Sequence, residues 1–330
     1  MTYEMFKEIV IQNIKKYLPD DWRDAKIERN QFQKVNYMKD SIVFRKHPEK
    51  GMIISPEVDV SYWYQNYLKG CSLSEVLTEL AETVVHAEKK IEPVYEDLDF
   101  NKVKDNLFCQ LINTAQNKEF LKDLPHREFH DLSIIYVWLI RESKTEGLVT
   151  SRVSNTLAEM IGYNEEELYQ LAMENTKRIL PPVTKTMREV IDEIMGKSAV
   201  GEMQDLVPET ELPMFVISNR VRHYGASAML FEEELQKLAE QLGEDFYIIP
   251  SSIHECIVLP KSYMDLEDVA EMVYEINMAQ VELKDRLSNE VYQYNSDARK
   301  VILATDVQNK SLDDCHKEQQ PFPARESLVR

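Results

Sequence analysis

The sequence predicts an α+β protein, helix-rich, with short, mostly antiparallel strands and a C-terminal tail outside the fold. Three observations carry this. Apolar residues recur at three-to-four spacing in several separate segments, the period of a helix face, while other short runs rich in Val, Ile and Tyr read as strands. The two kinds of segment are mixed without strict strand–helix–strand alternation, which disfavours a doubly wound parallel sheet. A chain of 330 residues buries roughly 75% of the surface its unfolded form exposes, so a core needs neither metal nor disulfide.

Residues 3–18 place Met5, Phe6, Ile9, Val10, Ile14 and Leu18 on one helical face, and Pro19-Asp20-Asp21 stops the helix. Extended segments at 27–35, 41–45 and 52–55, separated by polar or glycine-bearing turns, form a small meander. From Asp59 the pattern turns helical. Tyr62, Trp63, Tyr64 and Tyr67 lead to Gly70, and Ser72 with Glu75 has the capping-box spacing that starts the next helix. Leu73, Val76, Leu77, Leu80, Val84 and Val85 make its apolar face, and a charged stretch containing Pro93 breaks it. Residues 103–114 read as a further helix and 131–141, rich in Ile, Val, Tyr and Trp, as a buried strand.

Helices over 151–161 and 164–178 follow, divided at Gly162, then a helix over 183–195 and an acidic, proline-bearing loop over 202–213. The last section runs strand (214–218), a turn with Gly225, helix (231–242) stopped by Gly243, strand (246–249), turn, strand (256–259), helix (266–281) and two short extended runs near Val291 and Val301. Past Thr305 the apolar period vanishes, which predicts a mobile tail. The expected organisation is an N-terminal helix, meander and helices over 1–122, an α+β domain over 123–303, and a tail over 304–330, with no internal repeat or heptad run.

Composition narrows the function classes. Acidic residues outnumber basic ones 58 to 39, a net charge of −19. That balance opposes binding to phosphate backbones, so no nucleic-acid partner is expected. The longest nearly apolar stretch, 132–140, is far short of the ~20 residues of a spanning helix. The amphipathic N-terminus, with Glu8, Lys15 and Lys16, lacks the basic-then-apolar order of an export signal, so no membrane and a cytoplasmic location are expected. Cys71, Cys109, Cys256 and Cys315 lie far apart with no C-x-x-C, which predicts free thiols in a reducing compartment. Glycine, at 8 residues in 330, is too sparse and isolated for phosphate-cradling loops. Gly196-Lys197-Ser198 ends like a P-loop, but Ile191 stands where the first glycine belongs and a helical pattern precedes it. No cofactor is expected.

Five groups of residues have the makings of chemistry. His126 and His130 are four apart, so a helix would put both imidazoles on one face for a divalent metal, with Glu128 or Asp131 as oxygen ligands; a turn with two solvated histidines is the plainer reading. Ser251, Ser252, His254 and Glu255 gather two hydroxyls, an imidazole and a carboxylate in one turn between apolar strands, the groups of an activated nucleophile or of an ordinary polar turn. His254-Glu255 also begins a zinc-peptidase motif, but Val258 replaces its second histidine. Asn219, Arg220, Arg222, His223 and Ser227 follow another strand, and at the same sheet end as the 250–255 turn they would form a site for a small polar ligand. Tyr62, Trp63, Tyr64 and Tyr67 put four rings within six residues, either a protein-facing patch or the packing face of a half-buried helix. Acidic clusters such as Glu165–Glu167 fall in helix first turns, where the dipole favours them.

Tyr224-Gly225-Ala226-Ser227, residues 246–255, residues 131–136 and Ala172-x-Glu174-Asn175-Thr176 together resemble a family of uncharacterised bacterial proteins, a domain of unknown function found mainly in gut clostridia and relatives. The likeness covers most of 1–303 and implies no activity, cofactor or catalytic residue. The order from Asp131 onward is also faintly similar to a second uncharacterised family of Gram-positive bacteria. The leading expectation is a non-enzymatic cytoplasmic binding or adaptor protein for a protein or small polar ligand. The alternatives are a hydrolase-like enzyme using the Ser251/Ser252/His254/Glu255 turn, with His254 as general base, and an acidic nucleic-acid mimic.

Overall fold

The computed structural model describes residues 1–46, 55–143, 147–195 and 214–305. The expected strand over 52–55 falls almost wholly outside them, as do the loop over 202–213, Cys315 and the tail from 306. The described architecture is α+β with antiparallel sheets. Two compact units divide the chain: Met1–Phe100 with Ile140–Val149, and Asn101–Leu139 with Thr150–Arg330. The break near residue 100, where the sequence placed it after 122, follows from strand pairing, because residues 107–113 are the sheet partner of 132–138.

In the first unit, α1 (Tyr3–Asn13) is capped by Thr2, whose hydroxyl accepts from the Met5 amide. Its Phe6 and Val10 enter a core with Trp22, Ile42, Phe44, Leu77 and Leu80. The meander is β1 (Lys26–Lys34), β2 (Tyr37–Arg45) and β3 (Glu57–Val58). Helix α2 (Ser61–Leu68) precedes α3 (Leu73–Asp97), which opens with the Ser72–Glu75 capping box the sequence predicts. It continues past residue 93.

In the second unit, β4 (Leu107–Asn113) and β5 (His126–Phe129) flank β6 (Leu132–Ser143), which also pairs β7 (Gly147–Arg152), the Ile140–Val149 part of these two strands being counted with the first unit. Between β4 and β5 lies the single-turn α4 (Lys118–Leu121). Residues expected as helix over 103–114 are thus mainly strand. Every residue of β4 is buried, and a segment covered on both sides needs apolar side chains all round, which erases the alternation that marks a strand. After α5 (Asn155–Ile161) and α6 (Glu165–Ile179), residues 182–186 are β8 (Pro182–Thr186), and only α7 (Met187–Met195) of that stretch is helix. Then come β9 (Phe215–Asn219), α8 (Glu232–Leu242), β10 (Phe246–Ile249), β11 (Cys256–Pro260), α9 (Leu266–Gln280), β12 (Tyr292–Asn295) and β13 (Lys300–Leu303). The larger sheet has the order β13-β12-β10-β11-β9-β8, antiparallel throughout. Val269 and Val273 of α9 pack on Tyr247, Ile249 and Leu259.

Helix α6 closes one side of β4. Asn164 and Glu167 cap it reciprocally, and the Thr176 hydroxyl oxygen accepts from the Cys109 amide at 2.9 Å, satisfying an edge-strand donor. No described helix is long and apolar enough to cross a membrane.

Candidate functional site

Because β9 and β11 are antiparallel neighbours, with Ile217 opposite Cys256, the exit of β9 and the entrance to β11 lie at one end of the sheet. Residues 219–227 therefore meet residues 250–255, and the structure brings both groups of candidates together. Gly225 is the point of closest approach: a Cβ there would stand 2.2 Å from Ser218 Oγ and 2.3 Å from the His254 carbonyl oxygen. Ser218 Oγ donates to that carbonyl at 2.7 Å, and the Ala226 amide donates to the Ile253 carbonyl at 3.3 Å.

The turn leaving β9 is strained and held. Arg222 and Tyr224 have φ of 52° and 56°, the left-handed region, at a cost of about 1–3 kcal/mol each. Buried Asn219 offsets that cost. Its Oδ1 accepts from the Val221 amide at 3.0 Å and its Nδ2 donates to the His223 carbonyl at 2.8 Å. Arg222 pairs with Glu193 at 2.6 Å, Ser227 Oγ donates to the Tyr224 carbonyl at 2.9 Å, and Arg220 is exposed.

These constraints stack His223 on His254, ring centres 5.0 Å apart and planes 25° apart, with Tyr224 4.0 Å from His223. Asp285, which sequence reasoning missed, faces His254: its Oδ1 is 3.4 Å from Nε2. The Tyr224 amide donates to His254 Nδ1 at 3.4 Å, and Nε2 faces Asp285 at ion-pair distance. Both ring nitrogens of His254 thus face a protein group, one through a hydrogen bond and one at ion-pair distance. Those of His223 have no hydrogen-bond partner among the described residues, although the ring is half-buried. Burial first, and the His254 charge second, hold the His223 imidazole below its ordinary range, so it is neutral at neutral pH.

Asp285 sits in a segment pinned from several elements. The Ile253 amide donates to the Asp285 carbonyl at 2.8 Å and the Leu287 amide to the Ser251 carbonyl at 3.1 Å. Asn113 Nδ2 reaches the Leu287 carbonyl and Asn277 Nδ2 the Ser288 carbonyl. Ser288 Oγ and the Tyr292 hydroxyl both donate to the buried Asp131 carboxylate. Burial outweighs those bonds and raises the Asp131 carboxyl above the usual carboxylate range.

The remaining candidates have other roles. Ser251 is buried, and Ser252 Oγ accepts from the His254 backbone amide at 3.0 Å, so no serine hydroxyl is hydrogen-bonded to the His254 ring. The serine–imidazole pair of the hydrolase reading is not formed: the Ser252 hydroxyl is taken up by the turn's own backbone and Ser251 is buried. Glu255 is half-buried beside them. His126 Nδ1 pairs with the Leu124 carbonyl and His130 Nε2 with the Val301 carbonyl, so the two imidazoles do not converge. The residues lie on strand β5 and in a left-handed turn, φ 58° at His130, where helical spacing does not apply. Among the described residues no group of three or more His, Cys, Asp or Glu is placed to hold a metal. Trp63 is buried, Tyr64 packs on Phe6 and donates to the Met1 carbonyl, and Tyr67 also packs on Phe6. Of that aromatic cluster Tyr62 is 62% exposed, Trp63 is core of the first unit, and half-buried Tyr64 and Tyr67 pack against that core.

The family described as "Family of unknown function (DUF5688)" matches residues 3–296, nearly the whole fold, and the chain belongs to it. No curated protein and no solved structure matches the chain.

Proposed function

We propose that this member of a family of unknown function is a non-enzymatic binding protein, which takes a small polar ligand at the His223–His254 pair of its second unit. One observation carries the reading: His223, neutral, half-buried and without a hydrogen-bond partner among the described residues, is presented on a turn that two left-handed residues strain and Asn219 holds. Strain of this kind persists where the surroundings over-determine it, and functional sites are where it collects. A neutral imidazole with two open nitrogens both donates and accepts, which suits a polar ligand. His254 serves as its stacking partner, oriented by Asp285.

The reading places the chain in the cytoplasm of the clostridial bacteria its sequence resembles, and the free thiols of Cys71, Cys109 and Cys256 suit that reducing compartment. The experiment is a thermal-shift screen of the wild-type chain and His223→Ala against small carboxylates, amides, phosphates and nucleosides. A ligand at ~100 times its dissociation constant adds ~2.7 kcal/mol of stability. A shift seen in the wild type and lost in His223→Ala is the expected result. A shift that survives the substitution, or none with any compound, overturns the reading.

A further inference from the structure

Gln110, in the middle of β4, is 1% exposed, and among the described residues neither its Oε1 nor its Nε2 has a hydrogen-bond partner. Buried carboxamides ordinarily satisfy both ends, so an amide orphaned at both marks a place that a further molecule completes. Its position ties it to the imidazole pair. Strand alternation puts Gln110 on the same face of β4 as Phe108, two residues and ~6.6 Å along the strand. The Phe108 ring lies 5.6 Å from Tyr224, Tyr224 lies 4.0 Å from His223, and His223 lies 5.0 Å from His254. A continuous row of four rings thus runs inward from the half-buried histidines to the neighbour of the orphaned amide.

Resting on the binding reading above, we infer that Gln110 is the inner recognition residue of the same site and that its ligand is a small, neutral, planar lactam, a ring carrying N–H beside C=O. A carboxamide meets that edge with two parallel hydrogen bonds: its N–H donates to the ligand carbonyl and its oxygen accepts from the ligand N–H. Around Gln110, Phe108, Ile112 and the cross-strand Ile135 are all buried and apolar, with half-buried His126 next in register beyond Ile135, and apolar walls favour a neutral ligand over a charged one. The row of rings favours a flat π system over an aliphatic one. Gln110 is closed off from solvent, so a ligand reaches it only as the side chains around it move.

The test uses 2-pyridone and N-methyl-2-pyridone, which differ in the N–H donor, and follows proton–nitrogen NMR of the full chain. The Gln110 side-chain amide pair is identified as the one lost in Gln110→Leu. The expected result is that 2-pyridone shifts both this pair and the His223 ring, that the N-methyl compound binds at least about tenfold more weakly, and that Gln110→Leu binds the two alike. Equal affinity of the two in the wild type, or an unchanged preference in Gln110→Leu, overturns the role of Gln110. If acetate or another polar probe shifts His223 while 2-pyridone does not, the lactam inference fails and the binding reading survives. If no probe shifts His223, both fail.

Discussion

Gly225→Ala is the sharpest perturbation of the site, because its cost is set by contacts with backbone. The added methyl would lie 2.2 Å from Ser218 Oγ, 2.3 Å from the His254 carbonyl oxygen and 2.9 Å from the Asn219 nitrogen. The hydroxyl can rotate away; the other two atoms belong to β9 and the 250–255 turn. Overpacking of this kind costs about 1–3 kcal/mol, and separating the segments also breaks the Ser218–His254 hydrogen bond, worth about 1 kcal/mol. The expected loss is therefore about 2–4 kcal/mol. At about 2–4 °C per kcal/mol for a unit of this size, a 3 kcal/mol loss lowers the melting temperature by about 6–12 °C. Gly243→Ala is the control: φ is +76° there and nothing lies within 4 Å, so it pays only left-handed strain, about 1–2 kcal/mol. Adding Ser218→Ala to Gly225→Ala restores little, since the carbonyl and amide contacts remain. Circular dichroism melts of the four proteins decide the matter. A loss below about 1 kcal/mol for Gly225→Ala, with the histidine resonances in place, would refute the packing argument.

Other outcomes follow from the same geometry. His254→Gln removes the like charge that helps depress His223 and leaves the burial, so the His223 midpoint rises in an NMR titration but stays below its ordinary 6.5. A histidine depressed in the folded state leaves the unfolded chain with more bound protons in that window. Stability is therefore full above about pH 6.5 and falls as pH drops through the folded midpoint, and His223→Phe flattens this part of the pH–stability curve. Asn219→Ala frees the strained turn and costs about 2 kcal/mol by urea denaturation, with ligand binding lost. Gln110→Leu, which removes an amide unsatisfied at both ends, stabilises the chain by about 1–3 kcal/mol in the same assay.

Much of the frame was legible because local chemistry wrote it. The Ser72–Glu75 box, the glycines that end α5 and α8, and the strand Phe246–Ile249 fall where the sequence places them. β4 was not legible, because burial on both sides removed its alternation, and residues 182–186 were absorbed into the amphipathic helix that follows them. At the site, the meeting of 219–227 with 250–255 was foreseeable from two strand ends and was realised by the pairing of β9 with β11. Asp285 had no signal. It lies in the connection after α9, among Glu282, Lys284 and Arg286, and only the long-range backbone bonds of Ile253 to Asp285 and of Leu287 to Ser251 bring it to face His254. The aromatic cluster at 62–67 left two readings open, because ring content marks a helix that packs as readily as a surface that binds, and three of its four rings pack.

The central claim, that the open imidazole of His223 receives a small polar ligand, is tested most directly by observing its ring nitrogens. Long-range proton–nitrogen NMR of the uniformly labelled chain, titrated with neutral amides, lactams, carboxylates and phosphates, reports each His223 nitrogen separately. The account predicts a saturable shift of the His223 nitrogens with at least one of these classes, abolished in Asn219→Ala, where the turn is no longer held. Ligands that bind while the His223 nitrogens stay fixed, or the same shift in Asn219→Ala, would contradict it.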